Sequence, residues 1–236
     1  MTPPLLNCYG GKHATSHRYP RPEYRTIIEP FAGSAGYASR YHDRDVILVE
    51  KYARLAAVWR YLIGASEREI LALPLLAPGE TIDDHVWPCA EARDLVGWNI
   101  HVGTATPNRG LSAWGRDAGE GRLYESHGMC FWSEVRRART AAAAGKIRHW
   151  RIIEGDYTDA PDGPATWFVD PPYEVKGTHY PHGSGAIDFP ALGEWCQSRT
   201  GQVIVCEQVG ATWLPFVPFS ASRSASTQHK SVSEAI

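Results

Sequence analysis

A four-residue run, Asp170-Pro171-Pro172-Tyr173, carries the most specific chemistry in the sequence. Two successive prolines fix the backbone torsion φ and hold the chain rigid, so the Asp170 carboxylate and the Pro171 carbonyl can point the same way as paired acceptors. A planar amino group with two N–H donors fits such a pair, and Tyr173 offers a flat face on which an aromatic ring can stack. The run therefore predicts a pocket for the exocyclic amine of a base, with a simple turn at the end of a strand as the alternative.

The segments around this run predict an α/β fold with a doubly wound, mostly parallel sheet. A buried strand, a tight glycine turn and a helix from Tyr37 follow one another, and the helix over 51–63 has apolar residues at three- and four-residue spacing. Ligand crevices in such sheets lie at the carboxyl ends of the strands, where Asp170 stands. Strands are predicted at 26–30, 46–50, 150–153, 166–169 and 202–206, and further helices at 133–144 and 190–198.

The pattern weakens in the middle of the chain, where prolines and glycines interrupt it. We therefore expect residues 1–63 and 150–236 to form one core domain and 64–149 to be an insertion, because this stretch is too long for an ordinary connection. Within it, the glycine-rich stretch 103–121 is predicted to form loops. The tail from Ser220 is rich in serine, and we expect it to be loosely ordered.

Composition excludes several classes of protein. With 236 residues, 43% hydrophobic and 21% charged, the chain suits one domain with a buried core. No apolar run is long enough for a membrane helix, and the N-terminus lacks the pattern of a signal peptide, so we expect a cytoplasmic protein. A net charge of -2 excludes a globally basic nucleic-acid binder. The five cysteines are scattered without a C-x-x-C pair, which gives little support to disulfides or zinc.

Three motifs together resemble those of the DNA N6-adenine methyltransferases. They are 9–12 (Tyr-Gly-Gly-Lys), 30–36 (Pro-Phe-Ala-Gly-Ser-Ala-Gly) and the run at 170–173, in the order that the family has. The closest branch is the D12 class, which includes Dam-like and phage-borne enzymes. The resemblance implies the S-adenosylmethionine-dependent methyltransferase fold, S-adenosyl-L-methionine as methyl donor and an adenine in double-stranded DNA as acceptor. It also implies the cytoplasm of a prokaryotic or phage-infected host.

Family roles follow for single residues. The resemblance places Glu50 on the cofactor's ribose hydroxyls and Asp156 on its adenine amine; an acid at a helix start and a turn residue are the respective alternatives. Lys12 resembles the lysine that reaches the cofactor's carboxylate or the target-side backbone. The family has an aromatic residue where this chain has Cys8, so Tyr9 is the candidate to supply the ring. The cofactor-binding residues so implied are Tyr9, Lys12, Pro30, Phe31, Ala32, Gly33, Ser34, Ala35, Gly36, Glu50, Asp156, Tyr157 and Asp170.

The run at 170–173 then has a catalytic role. Hydrogen bonds from the adenine amine to Asp170 and to the Pro171 carbonyl would favour a pyramidal nitrogen and stabilise the charge that develops on it. Pro172 keeps the loop rigid, and Tyr173 would stack on a base flipped out of the duplex. The transfer needs no covalent intermediate and no metal, and the histidines show no metal-ligand spacing.

Contacts to DNA need a local basic patch. Arginines concentrate between Glu134 and Arg151, and we expect them to contact phosphates, although a solvated helix face would give the same pattern. Polar groups of the insertion, which are Asn99, Asn108 and Arg109, would reach base edges. This makes 64–149 the predicted target-recognition region, with 176–185 as the next place to look. The residues assigned to nucleic acid are Arg136, Arg137, Arg139, Arg148, Asn108 and Arg109.

Two other functions fit part of the sequence. An RNA base-amine methyltransferase, acting on rRNA guanine N2 or adenine N6, is the first alternative, since some such enzymes share an Asp-Pro-Pro-aromatic motif. The Gly-Gly-Lys segment and the long insertion favour DNA. An inactive α/β binding module is the second, and intact Asp170 and Tyr173 speak against it. We expect a monomer or a weak dimer with no membrane partner.

Overall fold

Five parallel strands form the central sheet in a computed structural model, which describes residues 4–77, 79–101, 103–111, 131–175, 177–223 and 231–236. The strand order is β3-β2-β1-β4-β5, and central Ile28 pairs with Ile47 on one side and Trp167 on the other. The prediction of an α/β fold with a mostly parallel sheet is confirmed. The strands are β1 (Thr26–Glu29), β2 (Asp45–Glu50), β3 (Arg151–Glu154), β4 (Ala165–Val169) and β5 (Gly201–Val205).

Helices cover both faces of this sheet. Neighbouring side chains of β1 point to opposite faces, so Ile27 packs in one hydrophobic cluster with α1–α4 and Ile28 packs in another with α5. Burial on both faces explains why the strands are nearly continuous apolar runs. No helix in the described part of the chain is both long and apolar enough to cross a bilayer. The helices are α1 (Ala53–Gly64), α2 (Glu67–Leu71), α3 (Ala90–Asn99), α4 (Glu134–Lys146) and α5 (Phe189–Gln197).

The prediction of a helix from Tyr37 is wrong, because the segment that forms is much shorter than an α-helix. Only a 3-10 turn, Ala38–Tyr41, forms there. Residues 37–44 are all that connect the glycine turn to β2, and this length leaves no room for a longer helix and its return to the sheet. The first crossover is therefore a compact turn, which keeps the glycine turn close to the sheet edge.

The described parts of the insertion pack directly on the core. In α3, Leu95 and Trp98 are fully buried in the same hydrophobic cluster as α1. The Arg54 guanidinium of α1 donates to Asp94 of α3 at 2.6 Å, which fixes the two helices together. Residues 78, 102 and 112–130 lie outside the described residues, including part of the stretch predicted to form loops. The part that is described shares one core with the sheet.

A second, antiparallel sheet ends the chain. Its strands are β6 (Glu207–Gln208), β7 (Pro218–Arg223) and β8 (Ser231–Ala235), in the order β6-β8-β7. The expectation of a loosely ordered tail from Ser220 is therefore wrong for 220–223 and 231–236, while 224–230 lie outside the described residues. Backbone pairing between the strands outweighs the loop preference of serine, and Glu234 is buried at 6% exposure.

Candidate active site at the carboxyl ends of the strands

A cavity of about 300 Å³ opens at the carboxyl ends of the parallel strands. All strands of the sheet run the same way, so the residues that end or follow them meet at one edge. The sheet order reverses between β1 and β4, and ligand crevices of open α/β sheets lie at such a point. Four acids at this edge line the cavity: Glu29 and Glu50 are the last residues of β1 and β2, and Asp156 and Asp170 follow β3 and β4.

The glycine turn after β1 has a constrained backbone. Gly33 and Ala35 both have φ of +47°, a left-handed region that a residue with a side chain adopts rarely. Such strain is tolerated at functional sites when the surroundings fix it, and Ala35 is fully buried. A Cβ atom added at Gly36 would lie 2.6 Å from the backbone nitrogen of His13. The turn therefore holds the N-terminal segment, with Lys12, against the cavity.

Glu50 connects two elements of the site. Its carboxylate accepts from the backbone N–H of Gly33 at 3.0 Å and of Tyr52 at 2.9 Å. Burial raises the pKa of Glu50, and the backbone hydrogen bonds oppose that rise. A third backbone hydrogen bond, from Lys51, also lowers the pKa of this carboxylate. Glu50 thus serves the start of α1 and also lines the cavity.

A flat wall and an acid stand at the other end of the cavity. The rings of Phe31 and Tyr157 stack with centroids 5.6 Å apart and an interplanar angle of 25°. Beside them, the Asp156 carboxylate accepts from Lys51 Nζ at 2.6 Å. The prediction brought Phe31, Asp156 and Tyr157 to one site, and all three line the cavity. Lys51 was not predicted, although it directly follows Glu50.

Asp170 and Lys12 form a buried ion pair. Lys12 Nζ lies 2.8 Å from Asp170 Oδ1, and the lysine is 7% exposed. Burial raises the pKa of Asp170, and the lysine opposes that rise. Within the described ranges, no hydrogen bond reaches Asp170 Oδ2. One carboxylate oxygen thus has no donor among the described residues, and its role as the acceptor for an amine stays a prediction.

Tyr173 takes a different place from the predicted one. Its hydroxyl donates to Glu234 Oε1 at 3.0 Å, and Lys12 Nζ lies 5.0 Å from the centre of its ring. Pro172 and Tyr180 are among the described residues that line the cavity, and Tyr173 is not. The prediction of a free stacking face at Tyr173 is therefore wrong, because the hydroxyl finds its partner in the C-terminal sheet.

Tyr180 presents the aromatic ring at this side of the cavity. Its hydroxyl donates to the Tyr9 carbonyl at 3.3 Å, and the two rings meet edge to face with centroids 5.9 Å apart. A side chain at Gly10 would lie 2.4 Å from the Tyr180 oxygen, so the glycine allows this close approach. The loop after β4 and the 9–12 motif thus pack together at the cavity.

Two buried acids of the site were missed by the sequence analysis. Glu29 accepts from the Ala38 N–H at 2.6 Å, and burial raises its pKa to about 8, so it is mostly neutral at pH 7. An acid at the end of an apolar strand was the available signal for Glu29. Glu234 lies in a serine-rich tail, where no local pattern indicates burial.

The arginine patch is largely structural. Arg136 is 1% exposed, and its Nη2 donates to the side-chain oxygens of Asn7 at 3.1 Å and Asn99 at 2.7 Å. Its assignment to DNA phosphate is wrong, since the side chain points into the core. Arg137 donates to the Leu73 carbonyl at 2.7 Å and Arg148 to the Gly64 carbonyl at 2.8 Å. Arg139 is exposed on α4, and its contact with phosphate stays a prediction.

Of the three residues assigned to base edges, Asn99 is fully buried and its side-chain oxygen accepts from Arg136, so this assignment is wrong. The other two lie on a loop that leads away from the cavity. Thr104 and Ala105 line the cavity, and Asn108 follows three positions later, its N–H bound to the Gly97 carbonyl at 2.9 Å. Arg109 is exposed and pairs with Asp83, its Nε donating at 2.6 Å. This loop therefore places polar groups near the cavity and anchors them on α3.

Comparisons with known proteins add no family to this picture. No protein-family model matches the chain, and no curated protein matches it either. In the described part of the chain, no group of three or more His, Cys, Asp or Glu residues is placed to hold a metal ion. Any function must therefore be argued from the geometry of the cavity itself.

Proposed function

We propose that the protein transfers a methyl group from S-adenosylmethionine to the N6 amine of an adenine in DNA. The observation that carries this proposal is the cavity at the switch point, into which Asp170 brings a carboxylate oxygen that accepts from none of the described residues. The resemblance of the three motifs, found in one cavity, supports it further. An acceptor beside a cofactor-sized space is what amine methylation requires.

The residues around the cavity fit the methyl donor. Its sulfonium supplies an activated methyl group. The glycine turn offers backbone without side chains, Glu50 offers acceptors for ribose hydroxyls, and Asp156 offers one for an adenine amine. The stacked pair Phe31 and Tyr157 forms an apolar wall for a flat ring. These groups lie at successive strand ends, in the order that an extended nucleoside-containing molecule would meet them.

Asp170 would bind the adenine amine, which accepts the methyl group. Its free oxygen would accept an N–H group of the amine and direct the nitrogen lone pair at the methyl group. The Pro171 carbonyl as the second acceptor stays a prediction, since Pro171 is not among the described residues that line the cavity. The same acceptors stabilise the positive charge that develops on nitrogen during transfer. Because N6 is paired inside a duplex, the adenine must leave the stack to reach Asp170.

Radiolabelled methyl transfer tests this function. The purified protein with labelled S-adenosylmethionine should incorporate methyl groups into duplex DNA, and sequencing should locate them on adenine N6. Incorporation into rRNA alone would assign the RNA base-amine function instead. A protein that binds neither the methyl donor nor its demethylated product would be a binding module of another kind.

Removing the charge of Glu50 should weaken cofactor binding. We expect Glu50→Gln to cost about 1 to 3 kcal/mol of cofactor binding free energy, the scale for losing a charged acceptor. The effect should fall on cofactor KM and Kd more than on the rate at saturation. Calorimetric titration with the methyl donor measures it. Glu154→Gln is the matched control, because Glu154 is also at a strand end but is exposed and pairs with Arg60. If the two variants bind the methyl donor with equal affinity, Glu50 has no role in cofactor binding and serves only as an acceptor for the backbone.

Changes at Asn108 or Arg109 should alter which adenines are methylated. A bidentate contact to a base edge gives about 1 to 3 kcal/mol of discrimination between bases, so Arg109→Ala should relax the motif at one position. Methylation sequencing of a genome exposed to each variant measures this. Arg93→Ala is the control, since Arg93 also pairs with Asp83 but lies on α3. An unchanged motif would move recognition to the loop 176–185, of which residue 176 lies outside the described residues.

A further inference from the structure

A buried carboxylate from the C-terminal sheet lies behind the catalytic loop. Glu234 of β8 is 6% exposed, and both of its oxygens accept hydrogen bonds from tyrosines. Tyr19 donates to Oε2 at 2.9 Å and Tyr173 donates to Oε1 at 3.0 Å. This side chain does not line the cavity, and the proposed methyl transfer gives it no role.

Glu234 also shares the ammonium group of Lys12 with Asp170. Lys12 Nζ lies 2.8 Å from Asp170 Oδ1 and 3.4 Å from Glu234 Oε1, so one buried cation stands between two carboxylates. Burial acts against the charge on Lys12, but the neighbouring acids, Asp170 first and Glu234 among them, raise the pKa of Lys12 well above its ordinary value. Buried charges are costly unless they are paired, so the position of this ammonium depends on both acids.

The shared ammonium bears directly on the role of Asp170. Lys12 already donates to Asp170, and an amine that enters the cavity must use the same carboxylate. With Asp170 as its sole partner, Lys12 would hold that carboxylate as a closed ion pair and weaken it as an acceptor. Glu234 is a second carboxylate partner of this ammonium at 3.4 Å, and the Gly10 carbonyl accepts from it at 3.2 Å, so Lys12, which itself lines the cavity, is not held by Asp170 alone.

We propose that Glu234 is a positioning residue for methyl transfer: it shares the charge of Lys12 and holds the Tyr173 hydroxyl, so that Asp170 stays available to the substrate amine. The inference rests on the proposed function and deepens it. Glu234 acts through Lys12, Tyr173 and Asp170 and touches no substrate. Its role requires charge as well as a hydrogen-bond acceptor, which separates it from a simple packing role.

Turnover and cofactor binding of Glu234→Gln test the inference. The glutamine keeps the shape and loses the charge, so we expect kcat at saturating DNA and cofactor to fall by about 10- to 100-fold, the range for an interaction with a charged group. Cofactor Kd and the melting temperature should stay close to the parent values. Glu234→Asp keeps the charge and should retain more turnover than Glu234→Gln.

Tyr19→Phe is the matched control. It removes the hydrogen bond on Glu234 Oε2, the oxygen away from Lys12, at similar depth in the protein. We expect its kcat to stay near that of the parent. Turnover of Glu234→Gln equal to that of Tyr19→Phe would overturn the inference. So would a fall in kcat accompanied by an equal loss of cofactor affinity and of thermal stability, because that result indicates a structural role.

A labelling experiment separates this inference from the proposed function, since it needs no substrate. Loss of the Glu234 charge should lower the pKa of Lys12, and acetic anhydride at mildly alkaline pH should then acetylate Lys12 about 3- to 10-fold faster, with Lys51 as the internal reference. Unchanged labelling would refute the charge sharing whatever the enzyme does. The parent protein could transfer no methyl group while Lys12 is labelled faster in Glu234→Gln. This result would refute the methyltransferase function and leave the charge sharing intact. The titratable groups that face Lys12 are Asp170, Glu234, Glu29, Tyr19, Tyr173 and Cys206.

Discussion

Replacing Asp170 with alanine should abolish methyl transfer while the affinity for the cofactor stays within about tenfold of the parent value. The carboxylate carries the free acceptor oxygen of the cavity, and a preorganised polar group of this kind contributes about 100- to 1000-fold to kcat. In the proposed function the cofactor is bound mainly by the glycine turn, Glu50 and Asp156, which the substitution leaves in place. Initial rates of methyl incorporation, together with a binding titration, measure both quantities.

A cavity carboxylate outside the catalytic loop provides the control for Asp170→Ala. Asp188 also lines the cavity, but its side chain caps α5 by accepting from the Ala191 N–H at 3.0 Å. Asp188→Asn should keep most of the turnover, because an asparagine caps a helix nearly as well. Turnover of Asp170→Ala above about a tenth of the parent rate would contradict the acceptor role, since it would correspond to less than about 1.4 kcal/mol of transition-state stabilisation.

Replacing Arg136 with alanine should remove much of the free energy of unfolding of the protein. The substitution leaves the side-chain oxygens of Asn7 and Asn99 without their donor in a buried site and opens a void between α3 and α4. Leaving a buried acceptor without its donor costs about 1 to 3 kcal/mol, which is a large part of the stability of a typical domain. Chemical denaturation followed by tryptophan fluorescence measures the loss.

Arg139 offers a comparison on the same helix. It is exposed on α4, so Arg139→Ala should change the free energy of unfolding by less than about 0.5 kcal/mol. If Arg139 contacts a phosphate, the same variant should reduce the salt dependence of DNA binding by ~1 in slope. Parental stability in Arg136→Ala, combined with weaker DNA binding, would instead support the phosphate contact that the sequence suggested for Arg136.

Local patterns predicted the elements that depend on neighbouring residues. The apolar runs of β1, β2 and β4 placed the strands, and the motifs at their ends placed Glu50 and Asp170 at one edge of the sheet. In a parallel sheet the carboxyl ends of all strands lie at one edge, so these predictions needed only the parallel direction of the strands. The cavity edge was thus predictable from segments of a few residues each.

Long-range contacts decided what could not be predicted. Arg136 is buried because Asn7 and Asn99, far away in the sequence, supply acceptors, and a run of arginines on a helix gives no sign of this. Tyr173 turns from the cavity because Glu234 arrives on β8, within a serine-rich segment that has the composition of a loop. Composition reports what a segment prefers alone, and tertiary partners override that preference here.

The pairing of Lys12 with Glu234 also has a consequence for the order of folding. The pairs β1–β2 and β4–β5 join strands that are close in the sequence, whereas this ion pair joins the first motif of the chain to its C-terminal strand. Closing so long a loop is entropically unfavourable until most of the intervening structure exists, and such contacts form late. During synthesis, a chain whose sheet is already formed would still lack this carboxylate. Any activity that depends on this carboxylate would then be acquired only after the parallel sheet has formed.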